Sequence, residues 1–287
     1  MSAEWPVLTA LLVHIQTHLE DDLTLEALAA RAGYSPHHLQ RLFKAAIGET
    51  PKAYCERLRL ERAAFRLNLH EVKLIDLALD CGYAVPETFG RAFQRRYGMP
   101  PAAYRDWVRR RDADAPADAP RSAEAPGPSF DISATQVRTL APVPVAFIRH
   151  LGPYEDVPES LFDELSSWAD RQRLGEPRVW MGIGHDAPGV TPPEHLRFDA
   201  ALVVPRPLAP EGRIGFQQLP GGEHAITTHA GPYASLPNAY AAIFPRVMSL
   251  PGYRFVGLPA IEVYHTAKVN VGYHLNHTDI CLPVAHG

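Results

Sequence analysis

Cysteine is scarce in this sequence. The 287 residues include only Cys55, Cys81 and Cys281, which are widely spaced and form no Cys-x-x-Cys pair. An odd number at such spacing argues against a disulfide framework and against a zinc site. We therefore expect each cysteine to be a small, buried, apolar side chain.

Long apolar runs are also lacking. No stretch approaches the roughly 20 apolar residues that a membrane-spanning helix requires. The first residues, Met-Ser-Ala-Glu-Trp, show neither the basic segment nor the apolar segment of a secretion signal. Together these absences predict a cytoplasmic protein with no membrane partner.

The chain as a whole lacks the positive charge that nucleic-acid-binding proteins usually carry, since its net charge is −4. The distribution is uneven, however. Residues 40–111 hold 15 Lys and Arg against 8 Asp and Glu, whereas residues 112–287 hold 12 against 19. Only the first part has the electrostatic character expected for binding phosphates.

A change in composition divides the chain. Residues 112–129 contain four prolines, no large apolar residue and a net charge of −3, which predicts an extended linker. Residues 1–111 have the periodicity of helices, and residues 130–287 mix strand and helix patterns. We therefore expect a multidomain protein, with an all-α domain followed by an α+β domain.

The N-terminal part contains one pattern twice. Leu-x-x-Leu-Ala, Gly-Tyr, Arg-x-Phe, Gly and Pro follow each other in the same order, beginning at Leu25 and again at Leu74. Helix-start signals such as Ser35-Pro36 and Thr50-Pro51 complete a prediction of seven helices. This organisation indicates two helix-turn-helix units in tandem, which would offer two recognition helices to one face of a DNA duplex.

Each predicted recognition helix has a polar outer face and an apolar inner face. Arg can donate two hydrogen bonds to guanine and Gln to adenine, whereas Thr and Glu suit a thymine methyl and a cytosine amine. A solvated face with no partner is the alternative, and two matched helices in a basic region make it less plausible. The predicted DNA-binding residues are His37, Gln40, Arg41 and Lys44, then Glu87, Thr88, Arg91 and Arg95.

Residues 6–109 resemble the tandem helix-turn-helix domain of the AraC/XylS transcription regulators. Two features depart from the family pattern: His37 replaces a tryptophan of close relatives, and Val85, before Pro86, cannot cap its helix. The preferred DNA sequence is therefore not implied. The resemblance rests on Gly33-Tyr34-Ser35, His38-Leu39-Gln40-Arg41-x-Phe43-Lys44, Gly48-x-x-Pro51, Gly82-Tyr83, Phe89-x-Arg91-x-Phe93 and Gly98-x-Pro100-Pro101-x-x-Tyr104-Arg105.

The C-terminal part also contains a repeat. His150-x-Gly-Pro-Tyr154 recurs as His229-x-Gly-Pro-Tyr233, and each copy follows an apolar strand and precedes an amphipathic helix. A further strand with an aspartate, Asp199 or Asp279, follows each helix. We predict a duplicated strand–helix–strand unit with a ligand cleft between its halves.

Residues 130–287 resemble the GyrI-like effector-binding domain. Besides the repeat, the carriers include Gly182-Ile-x-His185-Asp186, Pro259-Ala-Ile-Glu262-Val-Tyr264 and Thr278-Asp279-Ile-x-x-Pro283. The resemblance implies a central cleft for small, often cationic, amphipathic molecules, with Glu262 at the family's acidic position. A surface glutamate on a strand edge is the alternative. The predicted ligand-binding residues are Glu262, Tyr264, Tyr154, Tyr233 and Trp180, because aromatic rings beside a carboxylate attract organic cations.

Two other chemistries have weaker support. His274, His277 and Asp279 could be metal ligands, but the sequence offers no fourth ligand, so we expect no metal and no cofactor. Some GyrI-like proteins are implied to be hydrolases that use a tryptophan, and Val247 stands in its place here.

The sequence thus predicts a ligand-responsive transcription regulator and not an enzyme. Its expected partners are double-stranded promoter DNA and a small-molecule effector, with RNA polymerase as a further candidate. The rival hypothesis is a sequestering protein or GyrI-like hydrolase that carries a DNA-binding module.

Overall fold

The computed structural model describes residues 4–69, 72–114, 128–206, 208, 210–257, 259–265 and 276–287. The chain divides into two compact units, Met1–Asp118 and Ala119–Gly287. The predicted linker, residues 112–129, falls largely outside the described residues. Residues 112–114 continue the last helix of unit 1, Pro101–Asp114.

Unit 1 is entirely helical in its described residues, and the seven helices that the sequence predicts are confirmed. They are α1 (Trp5–Thr17), α2 (Leu25–Ala32), α3 (Pro36–Ile47), α4 (Pro51–Leu69), α5 (Leu74–Asp80), α6 (Pro86–Tyr97) and α7 (Pro101–Asp114).

Local sequence signals set the boundaries of these helices. The Thr24 hydroxyl accepts a hydrogen bond from the Ala27 amide, and Ser35 accepts one from the His38 amide, so both side chains cap a helix start. Gly33 ends α2 at φ 71°, in the left-handed region that glycine adopts without strain.

The two helix-turn-helix units pack around buried aromatic residues. Leu39 and Phe43 of α3 are fully buried with Tyr54 of α4. Phe89 and Phe93 of α6 are buried at the same positions of the second helix-turn-helix motif. The inner faces predicted for both recognition helices are therefore confirmed.

Gly82 brings the turn of the second helix-turn-helix motif close to the rest of unit 1. A Cβ atom at Gly82 would lie 2.5 Å from the Leu19 carbonyl oxygen and 2.7 Å from the Arg59 guanidinium. Arg59 itself donates hydrogen bonds to the carbonyl oxygens of Leu19 and Asp21. Any larger residue at position 82 would have to break this contact.

Unit 2 consists of a twisted antiparallel sheet with two main helices. The strands are β1 (Asp131–Ile132), β2 (Gln136–Leu140), β3 (Val143–Leu151), β4 (Trp180–Gly184), β5 (Arg197–Val203), β6 (Gly215–Leu219), β7 (Gly222–Ala230), β8 (Tyr253–Phe255), β9 (Ala260–Tyr264) and β10 (His277–His286); the helices are α8 (Ser160–Arg171) and α9 (Leu236–Met248). The main strand order is β1-β7-β10-β9-β4-β5-β3-β6.

The order of the strands reveals the duplication. On one side of the sheet β4, β5 and β3 follow each other, and on the other side β9, β10 and β7 follow each other in the mirrored order. The two halves meet where β4 pairs with β9. The predicted duplicated unit is confirmed and contains more strands than expected. One strand, β4, lies between the helix and the last strand of the first copy, and two strands, β8 and β9, lie there in the second.

Side chains of alternate residues separate the two faces of this sheet. On one face α8 packs against Ala146, Ile148, Ala200 and Leu202, with Trp168 fully buried between them. On this same face α9 packs with its buried residues Ala239, Ile243 and Val247. The opposite face carries the aspartates of the two repeats.

The cysteines are structural. All three are buried and free, and burial raises the pKa of Cys55 and of Cys81 to about 11 and that of Cys281 to about 12. The expectation of small apolar side chains is confirmed. None of the helices in the described part of the chain combines the length and apolar character that crossing a membrane requires.

Candidate DNA interface and ligand site

The outer face of α3 presents the predicted donor groups to solvent. His37, Gln40, Arg41 and Lys44 are all exposed. These side chains stand on the side of the helix opposite the buried Leu39 and Phe43. The arrangement leaves one imidazole, one amide, one guanidinium and one ammonium group free to reach a partner in front of the helix.

The second recognition helix, α6, has the same organisation. Glu87, Thr88, Arg91 and Arg95 are exposed. Arg91 Nη2 lies 3.5 Å from the Thr88 hydroxyl, one turn earlier on the same face. Arg95 donates to a carboxylate oxygen of Glu56 on α4 at 2.5 Å, so this arginine is engaged within the protein as well as exposed.

An ion-pair network that sequence reasoning missed joins α4 to α6. Arg57, on α4, bonds both Glu49 and Glu61, and Arg57 and Glu61 are buried. Arg96 of α6 reaches the other oxygen of Glu61 at 3.1 Å. The network fixes the orientation of α6 on the long helix. Arg57 and Glu61 are one helical turn apart, but Arg96 and Glu61 are 35 residues apart, so no local pattern indicates the contact between the two helices.

In unit 2, the predicted acidic residue lies at the centre of the sheet. Glu262, on β9, is 8% exposed. The hydroxyl of Tyr240 donates to its Oε1 at 2.9 Å, and the hydroxyl of Tyr264 donates to its Oε2 at 2.6 Å. Glu262 is therefore not a surface glutamate on a strand edge.

The surroundings of Glu262 oppose its charge. Burial raises the pKa of Glu262, and the hydrogen bonds from Tyr264 and Tyr240 offset only part of that effect. Burial also raises the pKa of both tyrosines well above its usual value, and the nearby carboxylate raises it further. Both hydroxyls therefore remain protonated donors.

Aromatic rings cover this carboxylate. The ring of Tyr264 lies 5.4 Å from that of Tyr233 and 5.8 Å from that of Phe162 on α8, both edge-on. Phe162 in turn lies 6.1 Å from Trp180, which pairs with Tyr264 across β4 and β9. The structure thus brings Glu262, Tyr264, Tyr233 and Trp180 together, with the half-exposed Tyr233 on the outside.

A glycine makes this arrangement possible. Gly182 of β4 lies directly opposite Glu262 in the register of the two strands. A Cβ atom there would come within 2.2 Å of the Tyr264 hydroxyl oxygen and 2.6 Å of Phe198 Cζ. The missing side chain leaves room for the Tyr264 ring to reach the carboxylate.

Tyr154 is placed differently from the other predicted ligand residues. Its hydroxyl donates to the carbonyl oxygen of Asp186 at 2.8 Å and accepts a hydrogen bond from the Asp186 amide. Asp186 forms a buried, two-point ion pair with Arg197. The hydroxyl of Tyr154 thus holds the loop after β4, while its ring packs edge-on against Phe198.

Tyr240 and Phe162 are the residues of this site that sequence reasoning missed. Tyr240 lies on α9 beside the buried Ala239 and one turn from Ile243, so the amphipathic pattern of α9 places it near the inner face. Phe162 follows the buried Leu161 on α8 in the same way. Their helical spacing was a usable signal, although it did not indicate which strand they meet.

The alternative chemistries can be located as well. No group of three or more metal-binding side chains is found among the described residues. His274 lies outside them, and Asp279 bonds His265. Val247 is fully buried on α9, where it packs as a core residue.

The fold and the two sites define a class of protein that joins a tandem helix-turn-helix domain to a small-molecule-binding domain. A family model described as a GyrI-like small molecule binding domain matches residues 133–285, and one described as a helix-turn-helix domain matches residues 28–106. The chain belongs to the family with GyrI-like domains, preceded here by a helix-turn-helix domain of the AraC type.

Relatives of known name match the first domain. The right origin-binding protein of Escherichia coli (strain K12) is 38% identical over 99 residues, which are 34% of this chain and 34% of that protein. The regulatory protein SoxS of the same organism is 33% identical over 99 residues, covering 34% of this chain and 92% of SoxS. The match thus spans about a third of the right origin-binding protein.

A solved structure matches most of the chain at low similarity. The cryo-EM structure of the EcmrR–DNA complex in EcmrR-RPo is 15% identical, covers 92% of this chain and 99% of that chain, and has a TM-score of 0.46.

Proposed function

We propose that this protein is a one-component transcription regulator whose second domain senses a small molecule. Two matched helices, α3 and α6, carry exposed polar and charged side chains. The same chain holds a buried carboxylate that accepts hydrogen bonds from two tyrosine hydroxyls. That combination is the observation on which the proposal depends. It is supported by relatives whose names describe origin binding and regulation.

The partners follow from the chemistry of each site. We propose that α3 and α6 read double-stranded promoter DNA in adjacent segments of the major groove, that RNA polymerase is a further partner, and that the protein works in the cytoplasm. A regulatory role is proposed in preference to a catalytic one.

The effector is proposed to be a small, amphipathic cation. A buried carboxylate with a raised pKa gains most from a ligand that brings its own positive charge. The rings of Tyr264, Tyr233 and Trp180 add cation–π attraction. Because Glu262 is 8% exposed, the ligand must displace one of the covering rings, and Tyr233 is the ring nearest to solvent.

The DNA proposal is tested by base-specific footprinting of the full chain upstream of its own gene. Arg41→Ala and Arg91→Ala should each cost about 1–3 kcal/mol at the specific site, because a two-point contact with guanine is lost. Each loss should be confined to one base pair. Arg254→Ala, a charge-matched change on β8, is the control and should leave the footprint intact.

If the same two variants bind random DNA and the specific site with equally reduced affinity, the arginines contact only phosphates. A full chain that protects no specific site would overturn the regulator proposal and leave the sequestering protein as the better hypothesis.

The effector proposal is tested with tetraphenylphosphonium as a hydrophobic cation and triphenylphosphine oxide as a neutral analogue. Glu262→Gln keeps the shape and removes the charge, so it should weaken the cation by about 1–3 kcal/mol and leave the neutral analogue nearly unaffected. Tryptophan fluorescence should report binding, and Trp180→Phe should remove most of the quenching. Equal losses for both ligands would show that Glu262 only supports the fold.

A further inference from the structure

The sheet face away from α8 and α9 carries one aspartate in each repeat, and the two are equivalent. In the register of the strands, Asp199 lies opposite Arg149 of β3 and Ile183 of β4. Asp279 lies opposite the matching residues, Thr228 and Val263. Each residue of the second repeat lies 79 or 80 positions after its counterpart in the first. Side-chain alternation places both aspartates on the face opposite Glu262.

In the first repeat the aspartate is saturated with donors. Arg149 donates to both carboxylate oxygens of Asp199 at 2.7 and 2.8 Å, His185 Nε2 lies at 2.6 Å and Gln217 Nε2 at 2.8 Å. Asp199 is fully buried. Burial alone would raise the pKa of Asp199, but Arg149 and His185 hold it well below its usual value.

Each of the three residues that bond Asp199 has an equivalent position near Asp279. The residue type differs at two of these positions. Thr228 replaces Arg149 and donates to Asp279 Oδ1 at 2.6 Å, while His265 replaces His185 and lies 2.8 Å from Oδ2. Arg138 of β2 takes the register position of Gln217, since it pairs with His224 as Gln217 pairs with Val145. A carboxylate has about four acceptor positions, and these two bonds occupy half of them.

A cavity of about 190 Å³ lies at this second aspartate, lined by Ser133, Ala134, Gln136, Arg138, Ile226, Thr228 and Asp279. The short Thr228 side chain stands where the first repeat places a whole guanidinium group. Apolar cavities of about 150 Å³ already hold a molecule the size of benzene. The cavity is therefore large enough for the end of an amino-acid-sized ligand.

The charges that line the cavity have opposite signs. Asp279 offers two acceptor positions for a guanidinium or ammonium group. Arg138 donates to Gln136 Oε1 at 2.6 Å with one nitrogen, and the remaining donors of its five N–H groups suit a carboxylate. A plain cation would be attracted by Asp279 and repelled by Arg138, whereas a zwitterion satisfies both.

We propose that this cavity is a second ligand site, which binds a small zwitterion with a guanidinium or amine end on Asp279 and a carboxylate on Arg138. The bound guanidinium takes the place that Arg149 holds in the first repeat. The site lies on the face of the sheet opposite Glu262, so it is separate from the effector cleft and does not depend on it.

Isothermal titration of the full chain with L-arginine tests the proposal, and agmatine, which lacks the carboxylate, is the matched probe. L-arginine should bind more tightly than agmatine. Asp279→Asn should weaken L-arginine by about tenfold or more, because a charge-assisted pair is lost. The matched control Asp131→Asn, on the neighbouring β1, should leave binding unchanged.

Two further substitutions place residues of the first repeat at the equivalent positions of the second. Thr228→Arg supplies the guanidinium from within the chain, so L-arginine binding should be abolished while the fold becomes more stable. Arg138→Gln introduces the residue found at Gln217 and should bring L-arginine down to the level of agmatine.

Wild-type chain that binds no L-arginine at millimolar concentration would overturn the proposal. Undiminished binding by a folded Thr228→Arg variant would do the same. If Asp279→Asn fails to fold, as judged by circular dichroism, Thr228→Arg and Arg138→Gln decide the question.

Discussion

Glu262 keeps a carboxylate in a place where burial opposes its ionisation. Two tyrosine hydroxyls bond its two oxygens, and yet the pKa of Glu262 is raised by burial. A residue that served only the fold could be a glutamine at this position. The two hydrogen bonds do not fully offset the cost of burying this charge, and a cationic ligand would offset more of it.

This residue gives a prediction about stability. A carboxyl group with a raised pKa binds its proton more tightly in the folded chain than in the unfolded one. The free energy of unfolding should therefore fall as pH rises from the unfolded-state value, about 4.3, through the raised folded-state pKa. Glu262→Gln should consequently stabilise the protein at pH 7 by about 0.5–2 kcal/mol, and the gain should shrink as the pH approaches 4.

Urea denaturation at both pH values measures this effect, and Glu155→Gln, on the exposed surface, is the control. A gain that is the same at pH 4 and pH 7 would mean that charge is not its cause. A loss at pH 7 would show that the two tyrosine hydrogen bonds outweigh burial.

At the scale of the helix, the two recognition helices begin differently. Ser35 caps α3 with its hydroxyl at 3.3 Å from the His38 amide. At the equivalent position of α6, Val85 supplies only its backbone carbonyl, which accepts from the Thr88 amide at 3.1 Å. The Val85 side chain is 49% exposed, so little apolar burial is lost when it is replaced.

Val85→Ser should therefore stabilise unit 1 by about 0.5–1 kcal/mol, because a serine hydroxyl can accept a hydrogen bond from the first turn of α6. The reciprocal change, Ser35→Ala, should destabilise it by about 1 kcal/mol. Chemical denaturation of both variants and the parent protein gives the two differences. A Val85→Ser variant less stable than the parent would indicate that Val85 contributes packing that outweighs a cap.

The elements that could be predicted are those with local signals. Pro36, Pro51 and Pro86 start helices in the structure as the sequence indicates, and the Gly-Tyr turns fall where the repeat places them. The burial of Leu39 and Phe89 follows from helical spacing alone. For these features the deciding interactions join residues that are only a few positions apart.

The features that escaped prediction depend on register between distant strands and helices. That Gly182 lies opposite Glu262 is a consequence of the pairing of β4 with β9, which no local pattern specifies. The contact of Tyr240 with Glu262 requires the position of α9 over the sheet. The hydrogen bond from the Tyr154 hydroxyl to the backbone of Asp186 joins residues 32 positions apart, and the motif around Tyr154 does not indicate it.

At the scale of the whole molecule, the predicted linker gives a further test. Residues 112–129 hold four prolines and no large apolar residue, so few contacts can depend on them. Limited proteolysis should cut within this range and release two fragments. Each fragment should unfold cooperatively by itself when followed by circular dichroism. Two fragments that both lose their structure on cleavage would show that the domains depend on one another.

The pairing of Glu262 with Gly182 has a consequence for how such a protein could arise. A dimer of two identical copies would have the same residue on both sides of its central strand pair, so a glutamate there would face another glutamate. Two adjacent carboxylates cannot both ionise readily, and one would keep its proton. When the two copies are joined in one chain, the two facing positions no longer have to hold the same residue, because each half can be substituted independently. The fused protein can therefore hold one carboxyl group at its centre, with glycine opposite it, whereas a symmetric dimer of the ancestral half would hold two or none.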